Sequence, residues 1–149
     1  GTDYYYQHEV VSYTSYEATV KSAKEAYAMA AITPDKLDLA EVHDCFSITE
    51  IIDYEDLGFC ERGEAKHLID KGVTERDGDL PVNVSGGLLC KGHPLGATGV
   101  AQCAELYCHL REEAGERQVE IKNGYGLQHN VGGRSISNSV VIILSNHTN

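Results

Sequence analysis

Lys91-Gly92-His93-Pro94-Leu95-Gly96-Ala97-Thr98-Gly99 is the stretch that decides how this chain folds. Its glycines permit a sharp turn, and the apolar spacing beyond them predicts a helix from near Pro94 to about Glu113. Val100, Cys103, Ala104, Tyr107 and Leu110 form the apolar stripe of that helix. Backbone amides at a helix N-terminus favour negative charge and disfavour an imidazolium. His93 is therefore expected to stay neutral near physiological pH, ready to act as a base. No Gly-Lys-Ser/Thr follows, which excludes a Walker loop, and the glycine spacing is not that of a dinucleotide fingerprint. Taken alone, the stretch suits a structural turn as well as a catalytic one.

Toward the N-terminus, Pro81 to Val84 reads as a strand broken by Gly86-Gly87. An acidic helix is expected from about Glu61 to Lys71, closed by Gly72. Ser47-Ile48-Thr49-Glu50 fits a capping box opening a helix that runs to Leu57 and stops at Gly58. Leu39 to Val42 is a short apolar run, read as a buried strand ending at His43. Thr33-Pro34-Asp35 predicts a short turn, and Ala18 to Ala31 a helix with Val20, Ala23, Tyr27 and Ala30 on one face. Toward the C-terminus, Leu127 to Asn130 and Ser139 to Leu144 read as strands. Strands alternate with helices until the last two strands. The expectation is an α/β layer with a mostly parallel sheet and one antiparallel member.

The chain has 149 residues, which suits one domain. Its 12 basic and 23 acidic side chains give a formal charge of −11, which argues against a nucleic-acid binder and against docking on an anionic membrane. At 42% hydrophobic, it can bury a core, and no apolar run approaches the length of a membrane span. No signal peptide is read, and the start at Gly1 suggests a processed product or a piece of something longer. Twelve of the acidic residues lie between Glu41 and Asp79 against four basic ones, and a solvated helical face is expected there. The five cysteines are odd in number and contain no CxxC pair, so a disulfide framework is not expected and a reducing compartment fits.

Three polar clusters sit where strands are expected to end: His43-Asp44-Cys45-Phe46, Gly92 to Gly99, and Gln128-His129-Asn130-Val131-Gly132-Gly133. Ligands of open α/β sheets bind at the carboxyl ends of strands, so the three could converge on one site. His43 and Cys45 precede a helix N-terminus, where a thiol becomes more acidic and accessible. His43, Cys45 and His93 together offer few hard metal ligands, and no metal is expected. The third cluster is either a plain turn between strands or a loop whose amides form an oxyanion hole.

Together the clusters resemble the thiolase superfamily. More narrowly, they look like the sterol-carrier-protein type of thiolase and its archaeal and bacterial acetyl-CoA acetyltransferase-like relatives. The likeness runs through His43-Asp44-Cys45-Phe46, Tyr54 to Cys60, Pro81 to Gly87, Lys91 to Gly99 and Gln128-His129-Asn130, nearly the whole chain. The His-Asp-Cys-Phe tetrad separates this branch from thiolases with Asn-Glu-Ala-Phe there. The resemblance implies the C-terminal half of the thiolase fold, a mixed, mostly parallel five-stranded-type sheet flanked by helices. It also implies thiolysis of 3-ketoacyl-CoA or the reverse Claisen condensation, with coenzyme A as substrate and no resident cofactor.

By the same resemblance, His93 would activate the nucleophilic cysteine and help form the first oxyanion hole. His43 would polarise the thioester oxygen directly or through water. Cys45 would move the proton at the substrate α-carbon, because most thiolases place that thiol in a late Cys-x-Gly loop that is Asn130-Val131-Gly132 here. Gly132 would still supply an oxyanion amide. Two departures stand out. The nucleophilic cysteine belongs to an N-terminal half that this chain does not contain. The last loop carries Arg134-Ser135-Ile136-Ser137-Asn138 where the family continues with glycine.

The expected partners are acyl-CoA, an N-terminal thiolase half in cis or in trans, and further copies in a homo-oligomer. The competing reading is a non-catalytic thiolase-like subunit that binds acyl-CoA or scaffolds a complex. A third, the related steroid side-chain retro-aldolase, lacks the Gly-His-Pro turn that stands here as Gly92-His93-Pro94. A cytoplasmic location is expected, or a peroxisomal one for a eukaryotic sterol-carrier type, although the ending His147-Thr148-Asn149 is not a peroxisomal signal.

Overall fold

Leu39, Ala40 and Val42 are all fully buried, because the short strand β1 (Leu39–Glu41) has helices on both of its faces. In the computed structural model, which describes residues 12–133 and 138–147, β1 pairs in parallel with β2 (Tyr125–Gly132). β3 (Asn138–Ser145) returns antiparallel to β2, with Tyr125 opposite Ser145 and Gly132 opposite Asn138. Among the described residues the sheet has three strands, in the order β1-β2-β3.

The helices are α1 (Glu17–Ala30), α2 (Ser47–Asp56), α3 (Ala65–Asp70), α4 (Gly87–Lys91) and α5 (Thr98–Leu110), with 3-10 turns at Pro34–Lys36 and Gly115–Arg117. The pleat alternates side chains between two cores. Ala40, Val42 and Leu127 join Ala23 of α1 and Tyr54 of α2 in the larger one. Leu39 joins Leu106 of α5 and Val119 in the smaller one. Gly126 lies where Leu106 and Leu39 press on β2. A Cβ there would meet their methyls at 3.1 and 3.2 Å, so the layers close because the position is glycine.

Several expectations need correction. Among the described residues the sheet is mixed as expected, but it has three strands, one pair parallel and one antiparallel, where five, mostly parallel, were expected. Pro81 to Val84 contributes a single bridge, Ala40 to Val82, instead of a strand. Pro81 has no N–H to donate, and Asn83 turns to φ +54 after donating to the Ala40 carbonyl, so the ladder cannot extend. The Ser47–Glu50 capping box does not form. Phe46 takes the cap position, and the Glu50 carboxylate instead accepts from the Tyr54 hydroxyl and the Asn83 amide. Gly86-Gly87 does not simply break the chain but opens α4.

α5 departs furthest. It starts at Thr98 rather than near Pro94 and ends at Leu110. The stripe expected to be core is largely outward. Gln102, Leu106 and His109 are buried, whereas Val100 is 71% and Tyr107 55% exposed. The acidic segment is also not one solvated face. Glu41, Asp44, Asp53 and Asp56 are buried, each holding backbone or side-chain partners in the fold.

Candidate functional site

β1 ends at Glu41, and the chain leaves it through Val42, His43, Asp44 and Cys45 before α2 begins at Ser47. Two fully buried carboxylates shape this exit. Glu41 accepts from the Ser85 backbone N–H and hydroxyl, with the Lys91 ammonium 3.7 Å away. Burial raises its carboxyl above the usual range, against the pull of Ser85 and Lys91. Asp44 accepts from the N–H groups of Leu88 at 2.6 Å and Leu89 at 3.4 Å and so caps α4. The backbone of Gly87 runs against this carboxylate: a Cβ there would lie 2.1 Å from Asp44 Oδ2. The Val42 N–H donates to Asn83 Oδ1 at 2.8 Å.

Beyond β1 the sheet is continued by a side chain. Gln102 of α5 donates from Nε2 to the carbonyls of Val42 and of His129, both at 3.1 Å, and accepts from Gln128 at 2.9 Å. These contacts tie together the exit of β1, the middle of β2 and the first half of α5. His43, Asn130 and His93 converge from those three places. His43 Nδ1 is hydrogen-bonded to Asn130 Oδ1. The His43 and His93 rings meet edge to face, with centroids 4.9 Å apart and planes at 81°. Burial holds the His43 imidazole below its ordinary value, and His93 and His129 add to that, against the opposing effect of Asn130.

His93 stands in an exposed turn, five residues before α5. Its Nδ1 lies 2.8 Å from the Thr98 hydroxyl, and that hydroxyl donates its own hydrogen to the Pro94 carbonyl at 3.2 Å. A neutral His93 that donates from Nδ1 to Thr98 Oγ1, while Thr98 donates to Pro94, keeps Nε2 as its acceptor. Cys45 is half-buried, and its thiol lies 3.7 Å from the Thr49 hydroxyl. Gly132 is the last paired residue of β2 and is exposed. Arg134 to Ser137 lie outside the described residues.

Of the expected site residues, His43, His93 and Asn130 are brought into direct contact. Cys45 leaves on the same β1 exit, and Gly132 lies two residues beyond Asn130 on β2. His129 is not part of the group. It is fully buried and faces Asp53 at 3.3 Å and Thr19 at 3.1 Å. The third cluster is thus mostly strand, not a turn. Thr98 and Gln102 escaped notice in the sequence, as did the pairing of Asp44 with Gly87. Thr98 stands inside the decisive stretch, but its spacing from His93 means little until the turn is formed. Gln102 lies in a helix whose polar positions would ordinarily face water. No group of three or more His, Cys, Asp or Glu side chains among the described residues has metal-holding geometry.

The sequence signature described as "Thiolase C-terminal domain-like" matches residues 1–146. This chain belongs to that family. The acetyl-CoA acetyltransferase of Methanothermobacter thermautotrophicus is 54% identical over 126 residues, covering 85% of this chain and 33% of that protein. The acetyl-CoA acetyltransferase of Methanocaldococcus jannaschii is 50% identical over 130 residues, with the same shares. Human sterol carrier protein 2 is 44% identical over 135 residues, 91% of this chain and 24% of that protein. The chain therefore spans between a quarter and a third of the length of these curated relatives. Among solved structures, one described as "Ltp2-ChsH2(DUF35) aldolase" superposes with a TM-score of 0.74 at 27% identity, covering 95% of this chain and 35% of that one. The thiolase-like fold of this C-terminal domain is thereby shared with acyltransferases and with an aldolase. No described helix is long and apolar enough to cross a membrane.

Proposed function

We propose that this chain is the C-terminal part of a 3-ketoacyl-CoA thiolase or acetyl-CoA acetyltransferase. In this reading an N-terminal half, in cis or in trans, supplies the nucleophilic cysteine. One observation carries the reading: the edge-to-face meeting of His43 and His93 beside the exit that bears Cys45. Its support from relatives is the 54% identity to an acetyl-CoA acetyltransferase across most of the chain.

His93 takes the proton of the partner cysteine on its Nε2, and the thiolate attacks the 3-keto carbonyl of the bound 3-ketoacyl-CoA. Carbon–carbon cleavage leaves an enolate of acetyl-CoA, which Cys45 protonates. Coenzyme A then attacks the acyl-enzyme to release the shortened acyl-CoA. In the condensing direction Cys45 removes the α-proton instead. In this reading the Gly132 amide and the His43–His93 pair stabilise the charge that develops on the two reacting oxygens. The outward stripe of α5 is the face that the N-terminal half covers. Coenzyme A is anionic, so a chain of charge −11 leaves much of its phosphate binding to residues elsewhere.

Thiolysis of acetoacetyl-CoA, assayed with the N-terminal half present, tests the reading. Cys45→Ala and His93→Ala are each expected to remove activity while leaving acyl-CoA binding measurable. Full activity in both variants overturns the proposal, and binding without turnover in the unsubstituted assembly establishes the non-catalytic subunit instead. This chain alone is expected to form no acetyl-enzyme. Its Cys60 thiol is pushed up to about 11, mainly by burial, and burial also raises Cys103. A stoichiometric acetyl adduct on any of its cysteines, seen by intact mass after acetyl-CoA, contradicts the assignment of the nucleophile to the other half.

A further inference from the structure

We infer that Asn130 is a positioning residue that fixes neutral His43 as the Nδ1–H tautomer and leaves its Nε2 as a bare acceptor facing the site. The partner of His43 Nδ1 is Asn130 Oδ1, an oxygen that only accepts, so the ring nitrogen must donate. The neighbouring Asp44 carboxylate is occupied by the N–H groups of Leu88 and Leu89. Asn130 is itself held in place. Its backbone pairs with Val140 on β3, the preceding carbonyl is taken by Gln102, and its Nδ2 lies against Gly99, where a Cβ would approach to 3.0 Å.

This assignment deepens the acyl-transfer reading and rests on it for the identity of the substrate. A bare Nε2 cannot donate to a thioester oxygen. A neutral His43 therefore acts on that oxygen through a water molecule, which gives one hydrogen to Nε2 and the other to the substrate. Direct polarisation would need the imidazolium, and burial beside His93 opposes that charge.

The test uses no acyl-CoA, so it stands or falls separately from the acyl-transfer reading. The full chain is labelled with nitrogen-15 histidine, and the long-range imidazole proton–nitrogen correlations are recorded above the titration of His43. The His43→Gln variant identifies its signals. The expected pattern is a pyrrole-like Nδ1 and a pyridine-like Nε2. Asn130→Asp keeps an acceptor and should keep the pattern. Asn130→Leu removes it, and the share of the Nε2–H tautomer should rise several-fold while the buried His129 signals stay in place. A pyridine-like Nδ1 in the unsubstituted chain overturns the inference, as does an unchanged His43 pattern in Asn130→Leu. If Asn130→Leu fails to fold, loss of the His129 signals reports it. The unsubstituted chain and Asn130→Asp then decide.

Discussion

The Asp53 carboxylate and the His129 imidazole face each other across 3.3 Å, and neither side chain is exposed. The pair joins α2 to β2 directly behind the strand that carries Asn130. Burial raises the Asp53 carboxyl, with His129 opposing, and neither of its oxygens has a well-aligned hydrogen bond. Removing one partner leaves a buried polar group without compensation, which costs about 3–5 kcal/mol, whereas apolar replacement of both is often close to neutral. Asp53→Leu alone is therefore expected to lose roughly 3 kcal/mol, and Asp53→Leu with His129→Leu clearly less. Urea unfolding midpoints of the two variants check this. A double variant that loses as much as the sum of the singles contradicts it.

Gly87 should tolerate no side chain. Its φ is +59, and a Cβ would overlap Asp44 Oδ2. Gly87→Ala is expected to cost the left-handed strain of about 1–2 kcal/mol and also to displace the α4 cap. Gly115→Ala, at φ +62 with nothing within 4 Å, should cost the strain alone. Thermal unfolding of the two variants measures the difference. Equal losses contradict the close approach.

His109 gives the stability a pH dependence of known sign. It is fully buried, its Nδ1 accepts from the Val119 N–H at 3.3 Å, and burial lowers its value despite Glu105. A histidine lowered in the folded state binds fewer protons there than when unfolded. Its contribution is present above the unfolded value of about 6.5 and is lost as pH falls through the folded one, by up to about 1.4 kcal/mol per pH unit. The raised carboxylates Glu41, Glu50 and Asp53 act in the opposite sense, so the comparison must be a difference. Relative to His109→Gln, the unsubstituted chain should lose stability below about pH 6.5. Parallel stability curves contradict the assignment.

The outward face of α5 makes a prediction about association. Val100 and Tyr107 lie one helical face apart from the buried Leu106 and His109, and they are exposed. Apolar faces of this kind draw partners. The chain by itself is expected to self-associate in sedimentation, and Val100→Asp should shift it toward monomer. A monomer that persists at high concentration, with no response to Val100→Asp, contradicts this.

Much of the architecture was legible because it depends on local periodicity. The helix before Ala31, the β1 run at Leu39 and the final strand pair all lie within a few residues of their expected places. The orientation of α5 was not legible. Its apolar spacing chose Val100 and Tyr107 for the core, yet the buried face is built on Leu106 and on Gln102, whose amide satisfies two strand carbonyls. A polar residue so placed reads as a surface residue until its partners are known. The same reasoning applies to the acidic segment. Asp44, Asp53 and Asp56 look like solvated charge in sequence, but Asp44 and Asp56 are held inside by donors distant along the chain and Asp53 faces the distant His129.

The sequence by itself determined the family, most of the helices, the outer strands and the three clusters that bear polar chemistry, since these rest on residue types and spacings within a few positions. Only the tertiary structure decided which of them meet. β2 carries His129 and Asn130 as consecutive residues, and the pleat sends consecutive side chains to opposite faces. One therefore goes to Asp53 in the core and the other to His43 in the site. A contact made across 87 positions of chain depends on strand register and helix packing, and neither is written in the spacing of the residues that make it.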